Sequence, residues 1–173
     1  MPVLLYKNLQ QHFSEYNIEL LSLGNWDKYA EIFYSNNDYY LTTDGRPASK
    51  DDCIDTIKYC PNGFPKEKCY CIGFSLNGEA AAILSILEDY PDYGTLYIGL
   101  FLINEKFKRK GIGSNIISTL TYEAFREKYS SVKLSVQDNN ISGFSFWRKL
   151  GFYVTEKIHC NGFCNLSMEY NYH

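Results

Sequence analysis

Residues 107–114 read Phe107-Lys108-Arg109-Lys110-Gly111-Ile112-Gly113-Ser114. Upstream, Thr95–Ile103 (Thr-Leu-Tyr-Ile-Gly-Leu-Phe-Leu-Ile) is almost continuously apolar, the pattern of a strand covered on both faces. Downstream, Ile112, Ile116, Leu120 and Ala124 line one stripe of a helix predicted over Gly111–Lys128. Glycines between strand and helix let the chain turn tightly and bring backbone N–H groups up to an anion. The helix start adds unpaired N–H groups and the positive end of its dipole. Lys108, Arg109 and Lys110 contribute further positive charge, so the loop is a candidate pyrophosphate cradle.

Two familiar phosphate motifs do not fit. A P-loop ends in Gly-Lys-Ser/Thr, whereas Gly113 is followed by Ser114-Asn115. A dinucleotide fingerprint needs a third glycine where Ile116 stands and an acidic residue on a following parallel strand. Taken alone, the basic run equally suits a localisation signal or a solvated turn.

Working outward, Ile18–Leu23 is a short strand candidate, and Trp26–Ser35 has helical spacing through Trp26, Tyr29, Ala30 and Phe33. Asn36–Ala48 reads as a long, turn-rich loop, a length that suits a functional segment. Ser49 with Asp52 resembles a capping start for a second helix, which ends before Pro61. Lys68–Leu76 and Glu79–Glu88 are β-rich runs joined at Asn77-Gly78, a hairpin signal. Val132–Val136 reads as a strand and Asn140–Leu150 as a helix closed by Gly151. Tyr153–Cys160 and Phe163–Tyr170 form a last hairpin around Asn161-Gly162. The predicted order is βααβββαβαββ, which makes residues 1–173 one α+β domain with a central mixed sheet flanked by helices.

Composition narrows the functional classes. The 173 residues suffice for one well-cored domain, and 45% hydrophobic with 21% charged residues is ordinary for a globular chain. A net charge of −3 gives no footprint for nucleic acid or an anionic membrane. No run approaches the roughly 20 apolar residues that span a bilayer. The first residues lack the apolar core and cleavage site of a signal peptide, so a cytoplasmic protein is expected. The six cysteines, Cys53, Cys60, Cys69, Cys71, Cys160 and Cys164, form no Cys-x-x-Cys pair and read as small buried hydrophobes rather than metal ligands. The 16 tyrosines suit the walls of a pocket or simple dense packing.

Lys108-Arg109-Lys110-Gly111-Ile112-Gly113 after an apolar strand resembles the Arg/Gln-x-x-Gly-x-Gly/Ala signature of the GNAT-superfamily N-acetyltransferases, with Lys in the first position. Leu134–Asn140 followed by Ile141–Phe152, ending Lys149-Leu150-Gly151-Phe152, resembles that superfamily's strand, Asn, helix and closing Lys-x-Gly-Phe. The resemblance is sharp over Thr95–Phe152 and fair over Lys68–Glu88. It implies acetyl-CoA as cosubstrate, no metal, and a pantetheine arm that pairs like an added strand along Phe101, Leu102 and Ile103. It also implies a pyrophosphate resting on the backbone of Lys108–Ser114. The amide of Phe101 or Leu102 would polarise the thioester carbonyl. Asn140 would hydrogen-bond the cofactor arm, a role compatible with being the N-cap of its helix.

The resemblance further implies direct attack by a neutral primary amine. A Tyr general acid usually stands five positions before the closing Phe, and here that residue is Trp147, whose indole N–H is a donor but not an acid. A thiol of pKa about 8.5 leaves tolerably without one. A carboxylate base often stands where this chain has Tyr97, and Glu88, Asp89 and Asp92 are carboxylates at the sheet end suited to attract a cationic amine. Tyr39 and Tyr40 of the long loop are candidate acceptor-binding residues. A rival reading, favoured by Trp147 and Tyr97, is an acyl-CoA-binding regulatory or interaction protein with weak or lost catalysis. Exposed terminal strands suit a homodimer.

Overall fold

The computed structural model describes residues 4–172. Seven strands form one mixed sheet in the order β1-β2-β3-β4-β5-β7-β6. They are β1 Tyr16–Leu20, β2 Cys69–Leu76, β3 Glu79–Glu88, β4 Thr95–Ile103, β5 Ser131–Gln137, β6 Tyr153–Cys160 and β7 Phe163–Tyr170. All neighbours are antiparallel except β4 and β5. That one parallel step needs a crossover, supplied by α5 (Ile112–Arg126). The hairpin tips confirm their sequence signal: Asn77, Gly78, Asn161 and Gly162 all take positive φ, as type I′ turns require.

Because side chains alternate along a strand, the sheet buries two separate cores. On the first face Ile72, Phe74, Leu84, Ile86, Leu96, Ile98, Val132 and Leu134 pack under α1 (Leu4–His12), α5 and α6 (Ile141–Lys149). On the second face Cys71, Ile83 and Leu102 pack under α2 (Ala30–Ser35), α3 (Asn37–Asp44) and α4 (Lys50–Lys58). The single sheet joins both into one α+β domain, as expected.

The structure adds two helices to the predicted order. Helix α1 shows only Leu5 and Leu9 as buried anchors, and it is held by docking: Asn8 Nδ2 donates to Glu127 (3.0 Å) and His12 meets Glu123 (2.7 Å) across to α5. Helix α3 replaces most of the expected loop at 36–48. Its sequence is polar, but Tyr40 and Thr43 share a buried side, Thr43 Oγ1 donates to Tyr39 O (3.0 Å), and Gly45 closes it at φ 70°. Burial and capping override weak propensity there. β1 begins two residues earlier than expected and ends at Leu20 because it follows the register of β2, Tyr16↔Leu76 to Leu20↔Ile72. The predicted cap of α4 is present, with the Ser49 N–H donating to Asp52 Oδ2 at 2.6 Å.

Candidate active site

β4 and β5 share only four partner pairs, from Thr95↔Ser131 to Ile98↔Leu134. The next residue of β4, Gly99, is also skipped by β3, since Ser85 pairs with Leu100 and Ile86 with Ile98. Gly99 is therefore the extra residue of a β-bulge, which bends the strand. From there to Ile103, β4 has no neighbour on its β5 side among the described residues, and a wedge-shaped gap opens in the sheet.

The period of two decides which backbone groups face that gap. Asn104 N–H donates to Ala81 O at 2.8 Å, so Leu102 and Leu100 also point toward β3, while Phe101 and Ile103 point into the gap. On the other side Asp138 N–H donates to Cys164 O of the β7 side at 2.9 Å, which turns Ser135 and Gln137 toward the gap. The carbonyl of Ile103 is already taken by Asn36 Nδ2 (2.8 Å) and that of Gln137 by Asn140 N–H (3.0 Å). Of the two amides that sequence left open, it is Phe101 that faces the gap.

Beyond Ile103 a short 3₁₀ turn, Glu105–Phe107, leads into the basic loop at the mouth of the gap. Arg109 (φ 59°) and Gly111 (φ 79°) both take the left-handed conformation. The first bond of α5 runs from Asn115 N–H to Gly111 O (3.0 Å), so the amides of Ile112, Gly113 and Ser114 precede it and have no helical acceptor. A Cβ on Gly113 would make ordinary contact, at 3.4–3.5 Å, with Phe146, Ile103 and Phe101, which places the helix start against the strand end. The three cations are not equivalent. Lys108 is bound to Glu105 (2.6 Å) and Lys110 lies over the Phe107 ring (5.5 Å), leaving Arg109 and Lys110 exposed and without a carboxylate partner among the described residues.

The second motif supplies the wall of the gap. Asn140 caps α6, its Oδ1 accepting from Gly143 N–H at 3.0 Å. Trp147, on the same helix, is 8% exposed and packs against Phe101 (6.1 Å between centroids), Phe146 (5.0 Å) and Phe152 (5.2 Å). It thus stands on the first face, directly behind the strand that carries the free amide.

The other sequence candidates separate. Tyr97, paired with Leu87, stands on the second face two residues before the bulge. Its ring meets Tyr90 edge-on (5.4 Å), and burial first, then Tyr90 and Tyr59, push its pKa up to about 12. A phenol held so firmly neutral does not act as a base near pH 7. Glu88 falls on the first face with Leu84 and Ile86, where Tyr70 donates to its carboxylate. That side chain anchors the sheet end rather than joining Tyr97. Tyr40 is in the second core, 5% exposed against Phe33, which removes it from the acceptor surface, whereas Tyr39 keeps an exposed edge.

Sequence reading missed Gln137. Its Nε2 donates to Thr43 O (3.4 Å), and Asn139 Nδ2 to Thr42 O (2.9 Å), tying the end of α3 to the end of β5 across the gap. Gln137 Oε1 is buried without any partner among the described residues. Turning the amide over would set oxygen against the Thr43 carbonyl, so the orphan is an acceptor awaiting a donor. The signal was a polar residue at the last position of a buried strand, which is too common to single out.

Residues 26–152 match the model of the acetyltransferase (GNAT) family, and the chain belongs to that family. Its members are acyl-CoA-dependent N-acetyltransferases, so acetyl-CoA is the cosubstrate of this enzyme. Over 114 residues (64% of this chain, 72% of the relative) it is 24% identical to the spermine/spermidine N(1)-acetyltransferase of Bacillus subtilis strain 168. The fold is shared with a Bacillus subtilis acetyltransferase in complex with CoA, at TM-score 0.60 and 18% identity over 91% of this chain and 99% of that one. It is shared equally with the PaiA N-acetyltransferase from Thermoplasma acidophilum in complex with coenzyme A, at TM-score 0.63 and 16% identity, with 91% and 99% covered. The residues fit the cofactor: two strand edges with unpaired amides, an orphaned buried acceptor beside them, and a glycine-containing helix start flanked by Arg109 and Lys110.

Proposed function

We propose that the enzyme transfers the acetyl group of acetyl-CoA to a primary amine by direct attack in a ternary complex. The observation that carries this reading is the gap beyond Ile98↔Leu134 with the Phe101 amide aimed into it. Acetyl-CoA supplies the activated thioester. Ile112, Gly113 and Ser114 amides with Arg109 and Lys110 receive the pyrophosphate, and the gap-facing amides of Phe101 and Ile103 align the arm. Phe101 N–H donates to the oxygen on which negative charge develops as the amine adds. The wedge brings the two reactants together from opposite faces of the sheet, which is where most of the rate gain lies.

Proton handling is the spare part of this design. Tyr97 stays protonated and serves by holding a water that relays the amine proton. Trp147 shields the sulfur from the first face, and the departing thiolate, of pKa about 8.5, takes its proton from solvent. The polyamine specificity of the Bacillus subtilis relative supports an aliphatic amine as acceptor. The reading takes the reaction to be metal-free and cytoplasmic, and a homodimer would use an exposed edge such as β6.

CoA release from acetyl-CoA, followed across a panel of primary amines, tests the proposal. Initial rates should intersect in the sequential pattern. Ping-pong kinetics or an acetylated cysteine trapped by mass spectrometry would overturn direct transfer.

A further inference from the structure

Four aromatic rings from three segments converge on the second face beside the gap. Tyr90, just after β3, meets Phe64 edge-on at 5.3 Å and Tyr97 edge-on at 5.4 Å. Tyr59, at the end of α4, lies close enough to act electrostatically on both Tyr90 and Tyr97, and it is 56% exposed. The rings therefore form a tray that starts two residues from the bulge and opens to solvent.

The lining side chains themselves are neutral. Burial first, then neighbouring phenols, raise the Tyr59 and Tyr97 hydroxyls above the ordinary value, so neither is ionised near pH 7. Of the carboxylates at this end of the sheet, Asp89 is paired with Lys68 at 2.7 Å, Glu88 faces the other side of the sheet, and Asp92 follows Tyr90 by two residues. The polar atoms on offer are phenol oxygens. Such a surface suits a methylene chain laid on ring faces, ending in an ammonium held by π-electron density and phenol oxygens.

Resting on the amine-acetylation reading above, the geometry points to Tyr59, Phe64, Tyr90 and Tyr97 as a subsite for the remote ammonium of an aliphatic diamine or polyamine whose other end is acetylated. The reacting amine lies at the bulge, and its partner ammonium extends along the tray toward Tyr59.

The test compares kcat/KM for 1,4-diaminobutane, butylamine and 2-phenylethylamine in the full chain. The diamine is expected to exceed butylamine by about 3- to 30-fold, the range of one ammonium–ring contact. Tyr59→Leu, at an exposed position, and Phe64→Leu should each shrink that ratio, with retained stabilisation by acetyl-CoA showing that the variants are folded and loaded. Equal kcat/KM for diamine and butylamine, or a ratio unchanged in both variants, overturns the subsite while acetyl transfer stands. A preference for 2-phenylethylamine overturns it by assigning the rings to an arene. If no amine releases CoA, the acetyl-transfer reading itself falls and the subsite falls with it.

Discussion

The ring of Phe101 on β4 lies 6.1 Å from the indole of Trp147 on α6, tilted by 56°. Since the Phe101 amide faces the gap, that contact sets from behind the position of the amide proposed as oxyanion donor. Trp147→Phe keeps most of the packing and removes no acid, so turnover should stay within about tenfold of wild type. Trp147→Tyr supplies the missing acid and should raise kcat by a factor no larger than the roughly 10²–10⁴ of acid catalysis. Trp147→Ala should cost about 3–5 kcal/mol of stability, measured by denaturant unfolding. An inactive Trp147→Phe that folds and binds acetyl-CoA would give the indole N–H a chemical role.

Gly111 sits at φ 79°, and a Cβ added there would meet no atom within 4 Å, so backbone conformation and not space demands glycine. Asn tolerates that region better than most residues, and Asp differs from it only by charge. Gly111→Asn should keep much of the thermal stabilisation by acetyl-CoA, which is about 2.7 kcal/mol at a hundredfold excess over Kd. Gly111→Asp should lose it. Equal binding by the Asp variant and wild type would mean that the pyrophosphate lies elsewhere.

The orphaned Gln137 Oε1 separates stability from function. An unsatisfied buried acceptor costs about 1–3 kcal/mol, which offsets loss of the long Nε2 bond to Thr43 O, so Gln137→Met should leave Tm unchanged or raised. The same variant should increase KM for acetyl-CoA or the amine about tenfold, the worth of one buried hydrogen bond. Wild-type kinetics in Gln137→Met would exclude the side chain from ligand binding.

Asp52 links the α3–α4 connection to pH. The Arg46 guanidinium, bonded to it at 2.7 and 2.8 Å, and then the Ser49 cap hold its carboxyl at about 2 against an ordinary 3.8. A depressed carboxylate contributes stability above its unfolded pKa and loses it as pH falls through the folded one. Asp52→Ala should therefore lower stability at pH 7 by about 1 kcal/mol, and the difference should vanish below about pH 2. A difference that persists undiminished there would assign the loss to packing.

Local chemistry made the strands and the glycine-bearing basic turn readable. The apolar run Thr95–Ile103, the Asn-Gly turns and the Ser49–Asp52 cap carry their signals within a few residues, and each appears where expected. Helices α1 and α3 were not readable, because their stability comes from Leu5 and Leu9 in the first core and from Tyr40 in the second. No periodicity within a short, polar-rich segment reports a partner far away along the chain.

The amino-acid order by itself determined that a glycine-bearing, basic turn joins a buried strand to a helix, and that Asn140 begins the next helix. Those are nearest-neighbour properties. Tertiary structure alone decided the direction of each group. The bulge at Gly99 opened the sheet and turned Phe101 rather than Leu102 into the gap. The register Leu87↔Tyr97 and Glu88↔Leu96 put Glu88 and Tyr97 on opposite faces, while packing buried Tyr40 and set Gln137 beside the gap. Direction follows from register between strands far apart in the chain, and a shift of one residue reverses it.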